Sequence, residues 1–167
     1  MKKLIFIVLF ASALQIGFAI EVGEEAPTFV NPKLDGVFVF SKNLIGSSWL
    51  LIDFFATDCV PCKEELPQLE IIQEQFAEDG LVGVVFATDA KGNSIVKPYF
   101  EEQPTNLMVL IDRFKVAAQK YGVETIPSVF LVDPEGNIAF KQVGYSHEAI
   151  IKMTKMLADA YSGEQEG

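Results

Sequence analysis

Apolar residues fall along this chain in two rhythms, and each rhythm marks a different kind of element. Trp49 to Phe55 (WLLIDFF) and Leu81 to Thr88 (LVGVVFAT) are short, nearly continuous apolar runs, the pattern of strands covered on both faces in a parallel sheet. Between them, residues 62–79 (CKEELPQLEIIQEQFAED) place Leu66, Leu69, Ile72 and Phe76 at spacings of three and four. That spacing predicts a helix with one buried face, closed by Gly80. Strand, helix and strand in this order predict a crossover unit.

Further along, residues 94–103 are weakly helical around Pro98, Met108 to Ile111 predicts a short strand, and Phe114 to Tyr121 predicts a short helix ending at Gly122. SVFLVD, the turn PEGN and IAFKQV predict a hairpin, and His147 to Tyr161 an amphipathic closing helix. Near the start, VGEEAPTFVNPKLDG (22–36) followed by VFVF reads as another hairpin, turning at Asp35 and Gly36. The expected fold class is α/β, a mixed central sheet with helices on both faces and an N-terminal β-hairpin.

Composition narrows the setting. A chain of 167 residues, 50% hydrophobic, buries one substantial core and needs no second domain. Met1, Lys2 and Lys3 precede the apolar LIFIVLFASAL and the small-residue exit Gly17-Phe18-Ala19. This is the layout of a secretory signal cleaved after Ala19. The other reading is an uncleaved N-terminal anchor, since Leu4 to Ile20 is an uncharged run of 17 residues, near the lower limit for a bilayer span. Residues 1–19 are therefore expected to be signal or anchor and residues 20–167 the working domain, placed in the periplasm or at the outer face of the cytoplasmic membrane. Loss of residues 1–19 removes two lysines and no acid, taking the formal charge from −10 to −12. Such acidity argues against nucleic-acid binding, which needs clustered Lys and Arg.

The chemistry concentrates in ATDCVPC, residues 56–62, which holds both cysteines of the chain. A closed zinc site needs four ligands, and two cysteines with one distant His147 do not supply them. A disulfide here closes a very small loop, so its value as a staple is low. A reactive dithiol is what the position suits. At a strand-to-helix junction the first sulfur stands at the helix N-terminus, where unpaired N–H groups favour the thiolate. The second lies one turn in, within reach to close a Cys59–Cys62 disulfide. Cys59 is expected to attack and Cys62 to resolve. Asp53, inside an apolar strand, is costly to bury ionised and should have a raised pKa.

LIDFFATDCVPCKEELP, TIPSVFLVDPEGNI and VGEEAPTF together resemble the thioredoxin-like thiol-disulfide oxidoreductases, in particular the extracytoplasmic, TlpA/ResA-like branch that serves cytochrome c maturation. The resemblance covers residues 22–160 and implies a thioredoxin fold, with residues 89–107 as an insert between a strand and a helix. It implies that Asp53, six residues before Cys59, accepts a proton from Cys62. Pro127 takes the place of the family's cis-proline, with Ile126 offering its backbone to an incoming chain; without the resemblance Pro127 reads as a proline at a strand start. Glu65, three residues after Cys62, matches a glutamate that tunes the cysteine pair, although Glu64 and Glu65 would also suit a helix's first turns. Pro67, Trp49 and His147 are read as structural. The family implies no cofactor beyond the redox-active disulfide, protein dithiols and disulfides as substrates, a membrane electron donor and a monomer.

Two departures stand out: Val60-Pro61 between the cysteines, and Asp58 where an aromatic residue is common in the branch. Two other function classes compete. Thiol peroxidases share the fold and an APTF-like start, but they need proline and threonine seven and three residues before the reactive cysteine. Here those places hold Ile52 and Ala56 for Cys59, and Phe55 and Cys59 for Cys62. A Cu(I)- or thiol-binding chaperone module could use the same two sulfurs, since two suffice for linear Cu(I).

Overall fold

The computed structural model describes residues 20–164, so the expected signal or anchor at residues 1–19 lies outside the described residues. Seven strands and four helices follow in the order β1 (Val30–Pro32), β2 (Phe38–Phe40), β3 (Leu50–Phe55), α1 (Val60–Phe76), β4 (Val82–Ala87), α2 (Asn93–Glu102), β5 (Met108–Ile111), α3 (Val116–Lys120), β6 (Ser128–Val132), β7 (Ile138–Val143) and α4 (His147–Glu164). The main sheet runs β5-β4-β3-β6-β7, and β1 pairs with β2 as a separate hairpin. The two apolar runs lie side by side in its centre: β3 pairs in parallel with β4, Asp53 opposite Val85, and antiparallel with β6, Asp53 opposite Val129. All six residues of β3 are buried.

Alternation along β3 divides the core in two. Leu51 and Phe55 join a cluster built with Leu66, Leu69, Ile72 and Phe76 of α1, Val96 and Phe100 of α2, and Met153 and Leu157 of α4. Leu50, Ile52 and Phe54 join the opposite cluster with Phe29, Ala117, Ala118 and Tyr121, where Phe54 stacks on Phe86 at 5.0 Å and meets Phe130 edge-on at 6.0 Å. Asp53 shares the pleat of Leu51 and Phe55, so it projects toward α1. Trp49 is core, at 9% exposure. Residues 89–107 carry α2, the crossover from β4 to β5. Among the described residues no helix is long and apolar enough to cross a membrane.

Two helix boundaries differ from the sequence reading. Helix α1 starts at Val60, not at residue 62, because Cys59 is its N-cap and Pro61 sits in its first turn, where a missing N–H costs nothing. Helix α3 starts at Val116, not at Phe114, because Lys115 is left-handed at φ 55°. The carboxylate of Asp112 accepts the backbone N–H of Ala117 at 3.1 Å and of Ala118 at 2.9 Å.

Candidate active site

The C-terminal end of β3 delivers the chain into ATDC, and a single acid holds that passage in place. Asp89, just beyond β4, accepts the Thr57 backbone N–H at 3.0 and 3.2 Å and the Thr57 hydroxyl at 2.6 Å. Thr88 ties the same crossing to Phe55: its N–H and its hydroxyl donate to the Phe55 carbonyl at 2.8 and 3.0 Å. From this support Cys59 enters α1. Cys59 and Cys62 form a disulfide, S–S 2.03 Å, and the Cys62 N–H donates to Cys59 Sγ at 3.3 Å. Cys59 is half-buried at the surface, whereas Cys62 is 0% exposed.

In the layer between β3 and α1 lie two carboxyl groups, Asp53 on the strand and Glu65 three residues after Cys62 on the helix, with no salt bridge to either among the described residues. Asp53 is 0% and Glu65 1% exposed. Among the described residues neither oxygen of Asp53 has a hydrogen-bond partner, nor has Oε2 of Glu65. Burial in this apolar layer drives the Asp53 pKa well above the usual carboxylate range, the charge of Glu65 adds to the rise, and the Phe54 N–H opposes it weakly. Burial likewise raises Glu65 to about 7. A carboxyl group in this state holds a proton near neutral pH and can exchange it. Glu64, its neighbour, points to solvent.

The Ile126–Pro127 peptide bond, at the entry to β6, is cis. Pro127 is buried and its carbonyl accepts the Gly144 N–H at 2.8 Å; Ile126 is partly buried and packs on both core clusters. A cleft of about 450 Å³ is lined by Asp58, the residue before Cys59, with Asp89, Lys91, Ile95, Lys115 and Ile126 among others. Among the described residues no three His, Cys, Asp or Glu side chains are grouped to hold a metal ion. His147 is exposed at the start of α4, where the Ser146 hydroxyl accepts the Ala149 N–H at 3.3 Å. The fold thus gathers Asp53, Cys59, Cys62, Glu65, Ile126 and Pro127 at one end of the sheet. Sequence reasoning missed Asp89, whose partner Thr57 lies 32 residues away in the chain, and the left-handed turn at Lys115.

A profile of the AhpC/TSA family matches residues 22–141. The chain is 30% identical to the thiol-disulfide oxidoreductase ResA of Bacillus thuringiensis (strain Al Hakam) over 125 residues, 74% of this chain and 70% of that protein. A Chlorobium tepidum structure, described as a thiol:disulfide interchange protein DsbE, superposes with a TM-score of 0.78 at 25% identity, covering 85% of this chain and 99% of the other. The thioredoxin domain of the thiol-disulfide oxidoreductase BVU-2223 of Bacteroides vulgatus gives a TM-score of 0.72 at 23% identity, over 83% of this chain and 98% of the other.

Proposed function

The chain belongs to the AhpC/TSA family, and from its likeness to the thiol-disulfide oxidoreductase ResA we propose that it is an extracytoplasmic thiol-disulfide oxidoreductase that reduces protein disulfides. Apocytochrome c or its maturation factors are the proposed clients, and a membrane-bound dithiol the proposed electron donor to a monomeric domain. One observation carries the reading: a half-exposed sulfur caps a helix above a fully buried one, and two buried carboxyl groups, three of whose oxygens have no partner among the described residues, lie in the layer between β3 and α1. The basic, apolar and then small-residue start of the chain supports export.

In the reduced protein the Cys59 thiolate, favoured by the helix N-terminus, attacks a client disulfide. One client sulfur leaves as a thiolate and the other is held in a mixed disulfide. In the fraction of molecules in which Asp53 is ionised, Cys62 gives its proton to the Asp53 carboxylate and attacks Cys59, which closes the Cys59–Cys62 disulfide and releases the client's second thiolate. The client gains two electrons and the protein loses two. The donor dithiol restores them, and the proton returns from Asp53 to Cys62. Glu65, when ionised, pushes the Asp53 pKa further up and so tunes the pair, and Ile126 with Pro127 borders the client's path. Two carboxyl groups close to the sulfurs disfavour the thiolate, which sets a reducing potential. Peroxidase chemistry is not supported, since Ile52 and Ala56 carry no polar group toward Cys59.

Trapping tests the assignment. Cys62→Ala, expressed with its own N-terminus, retains clients covalently on Cys59, and Cys59→Ala retains almost none. Equal trapping by the two variants, or a potential above about −150 mV, contradicts the reading.

A further inference from the structure

Lys115 holds a backbone conformation that its own side chain disfavours. It is the only non-glycine with positive φ among the described residues, at 55°, and a glycine would take this conformation freely. The turn is fixed all the same: the Lys115 N–H donates to the Asp112 carbonyl at 2.7 Å, and the Asp112 carboxylate holds the next two residues but one. A strained side chain kept at the rim of a reactive site points to a use for that side chain. Lys115 and Lys91 line one cleft, and Asp58, adjoining Cys59, stands among its other lining residues. The chain has 23 acids against 13 Lys and Arg, whereas this cleft sets two lysines, Lys91 and Lys115, against two acids, Asp58 and Asp89. Of those acids Asp89 has its carboxylate bound to Thr57.

The same turn carries Phe114 and Val116, 72% and 53% exposed. With Val30 and Phe38, 54% and 58% exposed, they border a second, apolar cleft of about 310 Å³. Lys115 lines the polar cleft, and its chain neighbours Arg113, Phe114 and Val116 line the apolar one. Exposed aromatic side chains beside a reactive site mark a surface that something covers, and the reactive sulfur is where a client must arrive.

We propose that residues 113–116 read the client: the surface from Cys59 over Lys115 to Phe114 binds an extended polypeptide segment with an acidic side chain a few residues from its reactive cysteine and a large apolar side chain beyond it. The acid meets Lys115 and Lys91, away from Asp58; the apolar residue lies on Phe114, Val116 and Phe38. This inference rests on the reductase reading above.

The test uses disulfide-looped peptides that are identical except for Glu, Gln or Lys three residues after one cysteine, each followed by Phe. The reduced protein is assayed at 0.15 M salt. The Glu peptide is expected to exceed the Lys peptide in kcat/KM by about three- to tenfold, the scale of one or two exposed charge pairs. Lys115→Gly combined with Lys91→Gln brings the ratio to about one, and Lys115→Glu inverts it. Phe114→Ser lowers kcat/KM for all three peptides and leaves the ratio as it is. Melting of Lys115→Gly at or above the parent temperature shows that the loss is not one of folding; Lys91→Gln, an exposed position, gives a second, partial loss. No preference in the parent, or a preference that survives in the double variant, overturns the inference. Failure of the parent to reduce the Gln peptide refutes the reductase reading itself, a separate outcome.

Discussion

Buried acids occur in two regions of this molecule, and they are treated in opposite ways. Asp89 and Asp112, at the C-terminal ends of β4 and β5, are 7% and 2% exposed, and their carboxylates are engaged by donors. Asn31 of β1 adds a contact to Asp112 at 3.4 Å and binds the Ile111 carbonyl at 2.9 Å. Asp53 and Glu65 are buried as deeply, yet three of their oxygens have no partner among the described residues. In the first region a carboxylate replaces water for backbone N–H groups and fixes a turn. In the second nothing compensates the charge, so the group prefers its proton. Loop architecture uses up an acid's hydrogen-bonding capacity, whereas proton transfer needs it left open.

Substitution should separate the two regions by sign as well as by size. Asp112→Ala strips two backbone N–H groups of their acceptor in a buried turn, and is expected to cost about 3 kcal/mol in denaturant unfolding. A loss under about 0.5 kcal/mol would show that water serves the turn equally well. Glu65→Gln should do the reverse. The folded pKa of about 7 lies above the ordinary 4.5, so the ionised form is penalised in the folded state. That penalty is absent below pH 4.5, grows between 4.5 and 7 and is complete above, reaching about 3 kcal/mol. Allowing for the cost of burying an amide, Glu65→Gln is expected to stabilise by about 2 kcal/mol at pH 8 and by nothing at pH 4. An equal gain at both pH values would remove charge as its cause. Asp89→Asn, which retains one acceptor for Thr57, sits at the small end, at about 1 kcal/mol of destabilisation. If it stabilises the protein instead, Asp89 belongs with the acids of the second region.

Much of this architecture is legible in the chain because each element carries its own apolar rhythm. Strand β3 and the helix after it follow from WLLIDFF and the spacing of Leu66, Leu69, Ile72 and Phe76. Asp53 stands out because a carboxylate between Ile52 and Phe54 has no exposed face to turn to. Glu65 is less legible, since Glu64 next to it suits the first turns as well; only the seating of α1 on the sheet buries one and exposes the other. Asp89 is illegible, because its partner Thr57 lies 32 residues away. Lys115 is hidden for a related reason. An ordinary N-cap reaches two or three residues ahead, but Asp112 reaches five and six, so Phe114 and Lys115 look helical in sequence and are not.

The central claim is that Asp53, the unpartnered acid of β3, moves the proton that Cys62 must lose. It is tested most directly by following the collapse of a preformed mixed disulfide between Cys59 and a small thiol, in the parent and in Asp53→Asn, from pH 6 to 9. Asp53→Asn should be the more stable protein at neutral pH, because the parent must take up a proton on Asp53, or bury its charge, in order to fold. Its collapse is predicted to be slower near pH 7 by at least about a hundredfold, the usual contribution of a positioned general base, and the gap should narrow as rising pH ionises Cys62 unaided. Equal rates in the two proteins across that range would contradict the claim.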